Sequence, residues 1–289
     1  MVDYKFFRDY KNEIKENLKD LRVIYTDLDG TLLNGSGCLI KDYKNDYYLD
    51  ALGSLARLEH KGLDVVLASG RNGFQLRLNA QVMGLKNYIA ELGAELIYNL
   101  GEKVYTTFDD SGAVYDTGDG GRDLIKIIDL LKKSFPGKIE SRIEWSRYRN
   151  YNAVFFGEID LDKANSLLAR NGYGGLVLVN NGFSSSLVKV DLNVEKLNIY
   201  ILIPAGVDKS GGIKLDKKIR KFGADNCIAL GDSTEDLKMA GEVKYCFLMR
   251  NALDGKEDIS GELNKYDNVY IADGIMNRGW AEVIGFLLD

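Results

Sequence analysis

The stretch Arg22-Val23-Ile24-Tyr25-Thr26-Asp27-Leu28-Asp29-Gly30-Thr31 sets a short apolar run directly before two acids, a glycine and a threonine. An apolar run of this length without polar alternation reads as a strand buried on both faces, as in parallel sheets covered by helices. Similar runs return at 63–68, ending in Ser69-Gly70-Arg71, and at 227–230, ending in Gly231-Asp232. The spacing predicts helices over 46–60 and 74–83, then strand, turn and strand over 88–98 and 104–108. Alternation of strand and helix requires an α/β parallel sheet with helices on both faces.

The chain has 289 residues, enough for about two domains. A Gly-, Asp- and Ser-rich stretch, 109–123, reads as a loop or linker. A helix over 124–135 ends at Pro136-Gly137, and short strand-like runs follow over 143–156, 176–180 and 187–190, with a helix over 161–169. This middle reads as a separate α+β unit. Alternation resumes with a strand over 197–203, a basic helix over 211–222, a strand over 227–230 and a helix over 235–240. Strands over 245–249 and 269–272 and a helix over 280–288 complete the chain. The expected domains are a core of 1–107 and 197–289, whose residues 1–21 form an N-terminal helix, and an insertion of 108–196.

Phe7, Tyr10, Ile14, Leu18 and Leu21 recur at helical spacing with acids and bases mixed between them. That pattern is an amphipathic helix, packed on the body of the chain or forming a homodimer contact, rather than a secretory signal. No apolar run approaches the ~18 residues a membrane span needs. Net charge is −5, which argues against nucleic acid or an anionic membrane as partner. Cys38, Cys227 and Cys246 are odd in number and widely spaced, and His60 is the only histidine. A structural zinc site, a thiol redox pair and a His-based triad are poorly supported. Unpaired thiols suit a cytoplasmic location, and His60 sits where a helix should end.

Ligands of open parallel sheets bind beyond the carboxyl ends of the strands. Convergence there would gather Asp27, Asp29, Asp232 and Asp236. Four carboxylates together repel and raise one another's pKa unless a cation sits among them, and a hard all-oxygen set suits Mg²⁺. As a calcium loop, Asp27-Leu28-Asp29-Gly30-Thr31 fails, since the twelfth position is Cys38 rather than a glutamate. It is compatible with a plain strand-to-turn junction. It also suits a nucleophile and a proton shuttle two residues apart: one carboxylate attacks phosphorus, the other protonates the leaving alcohol and then activates water.

Asp27-Leu28-Asp29-Gly30-Thr31-Leu32-Leu33 resembles the first motif of the haloacid dehalogenase (HAD) superfamily of phosphatases. Ser69-Gly70-Arg71 resembles the second, Lys209 the third, and Gly231-Asp232-Ser233-Thr234-Glu235-Asp236 the fourth. The spacing of Lys209 and Asp232, with Glu91-Leu92-Gly93-Ala94 and Asn251-Ala252, is similar to the Cof-like branch, which carries a large inserted cap. The resemblance covers residues from about 22 to the end. It implies a HAD-like Rossmannoid parallel sheet with helices on both faces, plus an inserted α+β cap domain.

The same resemblance implies site roles. Asp27 would be nucleophile and metal ligand, and Asp29 the acid/base that lends its carbonyl to the metal. Ser69 and the Gly70 N–H would bind phosphoryl oxygens, Lys209 would neutralise charge, and Asp232 and Asp236 would hold Mg²⁺. Thr31, Arg71 and Asn251 would serve phosphate or substrate binding. Glu235 and Leu92 both stand where the family often has Asn. The implied activity is Mg²⁺-dependent hydrolysis of a small phosphorylated metabolite, a sugar phosphate or phosphorylated organic acid, through an aspartyl-phosphate. A phosphomutase or phosphotransferase would use the same acids, and a non-catalytic phospho-ligand binder the same scaffold. The cap would exclude water. If its Trp145, Arg147 and Arg149 share one strand face, that face either meets an anionic or sugar-like group or is a solvated sheet face.

Overall fold

Val23–Thr26 forms β1, buried at all four positions because strands flank it on both sides and helices cover both its faces. The structure, a computed structural model, describes residues 4–108, 121–141, 146, 148–183, 190–254 and 259–289. The chain divides into two units, 1–105 with 208–289 and 106–207.

The first unit continues with β2 (Asp64–Ala68), β3 (Asn87–Ala90), β4 (Glu95–Tyr98) and β5 (Lys103–Thr106). The second unit contributes β6 (Ile139–Ser141), β7 (Ala153–Gly157), β8 (Leu176–Phe183) and β9 (Asn198–Pro204). The chain then returns to the first unit for β10 (Cys227–Gly231), β11 (Tyr245–Leu248) and β12 (Val269–Ile271). The larger sheet runs β12-β11-β10-β1-β2-β3-β4-β5, parallel from β12 to β3, with β4 antiparallel to β3. Strand pleating sends alternate side chains to opposite faces. Ile24 joins the core beneath helices Asp50–His60 and Asn277–Leu288, while Val23 and Tyr25 join the core beneath helix Lys209–Arg220. The expected α/β parallel sheet with helices on both faces is thus realised.

The second unit holds an antiparallel sheet ordered β6-β7-β9-β8, with helices Gly121–Ser134 and Leu161–Leu168. One expectation is corrected here. The strand assigned to 197–203 as the reopening of the core is β9, which pairs antiparallel with β7 and β8 and belongs to the inserted unit. Its apolar run suits either sheet, so periodicity alone could not say which neighbours it would find. The linker over 109–120, most of the run 187–190, and Trp145 and Arg147 lie outside the described residues. Arg149 is described, and donates to Asn152 Oδ1 at 2.8 Å.

The N-terminal stripe docks on its own chain. Phe6 bridges Ile271 of β12 in parallel, with Ile271 N–H donating to Lys5 O, so the edge of the sheet is covered. Helix Phe7–Asn17 then buries Phe7 and Ile14, and Phe7 stands edge-on to Phe247 and Phe286. His60 ends helix Asp50–His60, as expected. No helix of the described residues is long and apolar enough to cross a membrane. Phe7→Ala leaves a cavity between the helix and β11, and costs about 3 kcal/mol of unfolding free energy, measurable by urea titration.

Candidate active site

Three strand ends build the site. Thr26 on β1 is level with Leu67 on β2 and Leu230 on β10, so Asp27, Ser69 and Asp232 emerge together beyond the carboxyl edge. Asp27 N–H donates to Leu230 O at 2.8 Å, and Trp280 Nε1 to Thr26 Oγ1 at 3.0 Å, which ties the strand end to helix Asn277–Leu288. Gly30, at φ +88°, turns the chain against Asp232: a Cβ there would lie 2.3 Å from Asp232 Oδ2.

Asp27, Asp232 and Asp236 each offer a carboxylate oxygen, and these lie within 4.8 Å of one another. Lys209, the first residue of helix Lys209–Arg220, donates its ammonium at 2.6 Å to both Asp27 Oδ1 and Asp236 Oδ1. All three partners are buried. Burial pushes the Asp27 carboxyl up to about 7, with Lys209 opposing and Asp236 and Asp29 adding to the rise. Asp232 is raised well above the usual range by burial and then by Asp27 and Asp236. Burial disfavours the Lys209 ammonium, yet Asp236 and Asp27 outweigh it and raise its pKa.

These residues fit a divalent cation. Their donors are oxygens alone, as Mg²⁺ prefers, and three carboxylates gathered about one ammonium leave a surplus of negative charge. Asp236 is the most occupied: its Oδ2 accepts from Asp232 N–H and Ser233 N–H at 3.0 Å and Ser233 Oγ at 2.7 Å. Asp232 accepts from Thr31 Oγ1 at 3.2 Å and Asn251 Nδ2 at 2.8 Å. Asn251 also donates to Gly30 O at 3.0 Å and accepts from Met276 N–H at 2.9 Å.

The Asp29 carboxylate stands apart from that trio. It is half exposed and meets the Arg71 guanidinium as a fork, Nε to Oδ2 at 2.7 Å and a terminal nitrogen to Oδ1 at 2.5 Å. Arg71 is braced in turn by Asn79 Oδ1 at 3.0 Å. Ser69 Oγ accepts from Arg71 N–H at 3.2 Å, and Gly70 lies in the turn before helix Gly73–Met83. The helix opens with a reciprocal cap between Asn72 and Gln75. Glu235 pairs with Lys238 at 2.9 Å. Leu92 occupies a left-handed position, φ 59°, which favours a small polar residue such as Asn.

Two supporting roles escaped the sequence reading, that of Ser233 within the fourth motif and that of Asn79. Ser233 both caps helix Thr234–Leu237 and holds Asp236, a role its Ser-x-x-Asp spacing advertises. Asn79 carries no such local signal.

The family described as haloacid dehalogenase-like hydrolase matches residues 24–261. The chain belongs to it. Over 280 residues it is 25% identical to a glucosyl-3-phosphoglycerate/mannosyl-3-phosphoglycerate phosphatase of Persephonella marina, covering 92% of this chain and 97% of that protein. It is 24% identical to a phosphoglycolate phosphatase of Nitrosopumilus maritimus, covering 88% and 93%. The sucrose-phosphatase of Synechocystis shares its fold, with a TM-score of 0.61 at 14% identity over 92% and 97% of the two chains. The expectation of an enzyme, a HAD-type phosphoric monoester hydrolase, agrees with the family and with these curated relatives.

The raised Asp27 carboxyl predicts a pH dependence of the metal-free protein. A folded pKa of about 7 against an unfolded value of 3.8 means the folded state holds the proton longer. Stability from this group is complete below pH 3.8 and is lost as pH rises through 7. Urea unfolding in chelator at pH 5.5 and 8 should show this fall in wild type and a smaller one in Asp27→Asn.

Proposed function

We propose that this chain is a Mg²⁺-dependent phosphatase of small phosphorylated metabolites, with a phosphorylated organic acid or a sugar phosphate as substrate. The observation that carries the reading is the buried Lys209 ammonium shared by Asp27 and Asp236, beside a third carboxylate, Asp232. That set offers a carboxylate nucleophile and a fixed positive charge at one strand end.

Asp27 attacks phosphorus and forms an aspartyl-phosphate, while the substrate alcohol leaves and takes a proton from Asp29. Asp29 then removes a proton from water, which attacks phosphorus, frees Asp27 and releases inorganic phosphate. Lys209 neutralises charge on the phosphoryl oxygens and on Asp27, and Ser69 with the Gly70 N–H binds those oxygens. Asp27 and Asp232, with Asp236 and the Asp29 carbonyl, would hold Mg²⁺, which supplies charge neutralisation for phosphoryl transfer when bound. Arg71, Thr31 and Asn251 orient the substrate and the acids. The inserted unit acts as the cap and selects the leaving group. The relatives named for phosphoglycolate and for glucosyl- and mannosyl-3-phosphoglycerate support a substrate that joins a phosphoryl group to an organic acid.

Release of inorganic phosphate from a panel of sugar and acid phosphates tests this, with Mg²⁺ and with chelator. Hydrolysis should require Mg²⁺ and fall by at least about 10³-fold in Asp27→Asn. Equal hydrolysis by wild type and Asp27→Asn would refute the assignment of the nucleophile. No release from any substrate by folded, Mg²⁺-saturated protein would refute the phosphatase reading itself.

A further inference from the structure

Helix Lys209–Arg220 carries the site cation at its first residue and a buried carboxylate, Asp216, two turns later, about 10 Å along the axis. Asp216 has no solvent exposure, and both its oxygens are engaged. Tyr25 donates its hydroxyl to Oδ2 at 2.5 Å, Tyr98 donates to Oδ1, and Arg220 forks onto both oxygens. Arg220 also bonds Asp64 Oδ2 at 2.5 Å at the start of β2, and Asn87 Nδ2 donates to that same oxygen at 2.9 Å.

Strand β1 therefore touches this helix twice on one face. Tyr25 and Asp27 stand two residues apart, so their side chains share a side of the sheet. Asp27 meets Lys209 and Tyr25 meets Asp216. Between these contacts Gly212 lies so close to β3 that a Cβ would fall 2.5 Å from Ile89 Cγ2. The close approach at Gly212 sets the distance of the helix from the sheet, while its slide and rotation about its axis are set by other contacts, Lys217 Nζ to Glu242 O at 2.6 Å among them. Directional bonds to a buried carboxylate oppose both motions.

We infer that Asp216, clamped by Tyr25, Tyr98 and Arg220, is a positioning residue that fixes the slide and rotation of the helix and so sets the Lys209 ammonium between Asp27 and Asp236. It touches no reacting atom and acts through Lys209. The inference rests on the phosphatase reading for its kinetic consequence, and on the geometry alone for its structural one.

Asp216→Asn keeps the volume and removes the charge that holds both tyrosines and Arg220, and Tyr98→Phe is the milder variant should the first fail to fold. Leu58→Ala, in the core beneath helix Asp50–His60 on the other face, serves as a destabilised control. Assayed well below their Tm, the clamp variants should lose about tenfold to a hundredfold in kcat with KM within about twofold. The control, with a comparable loss of Tm, should keep its kcat. A clamp variant with wild-type kcat, or a control with the same kcat loss, would overturn the inference. Crystal structures of the variants decide it even if wild type hydrolyses nothing, an outcome that would sink the phosphatase reading by itself. Lys209 Nζ displaced from Asp27 or Asp236 supports positioning, and Nζ still bonded to both refutes it.

Discussion

Lys209 holds two buried carboxylates with one ammonium, at 2.6 Å to each. Removing the ammonium would leave two buried carboxylates without their counter-charge, at a cost of about 3–5 kcal/mol. The same contact joins elements that are distant along the chain: the end of β1 through Asp27, the short helix after β10 through Asp236, and a crossover helix through its first residue. Burial drives Asp27 and Asp232 toward their neutral forms, and the neighbouring carboxylates add to that drive. A divalent cation would reverse that tendency.

The parallel order of the sheet makes such a contact available. Neighbouring parallel strands deliver their carboxyl ends to one edge, and each crossover helix runs back from that edge. Asp27 and Asp232 arrive on adjacent strands, and Lys209 on the helix that precedes β10. Gly30 then lets the loop after Asp27 turn against Asp232 where a side chain would collide with it.

Much of this was legible because it is local. Short apolar runs ending in Asp27, Ser69 and Asp232 declare buried parallel strands and their carboxyl edge within a few residues each. Features set by distant pairing were not. The placement of β9 in the second sheet depends on β7 and β8 as partners, which its own residues do not name. Tyr25, Tyr98 and Asp216 read as ordinary core or surface positions until three elements meet. The Arg71–Asp29 fork joins two motifs recognised separately, and nothing in either one specifies their contact. The N-terminal stripe did not name its partner, and Phe7 finds Phe247 and Phe286 of its own chain.

The two acids of the first motif show how a spacing of two residues gives two environments, which the proposed roles of nucleophile and proton shuttle would use. Asp27 leaves the strand facing the buried ammonium and is 6% exposed. Leu28 between them is wholly buried and anchors the turn, with Leu33 N–H donating to Leu28 O at 2.8 Å. Asp29 emerges on the far side of that anchor, half in solvent, its carboxylate spread across Arg71. A nucleophile benefits from a dry site where charge neutralisation is strong, whereas a proton shuttle must reach both a leaving alcohol and water. One buried leucine between two aspartates separates those environments, and the guanidinium of Arg71 sets where the second carboxylate waits.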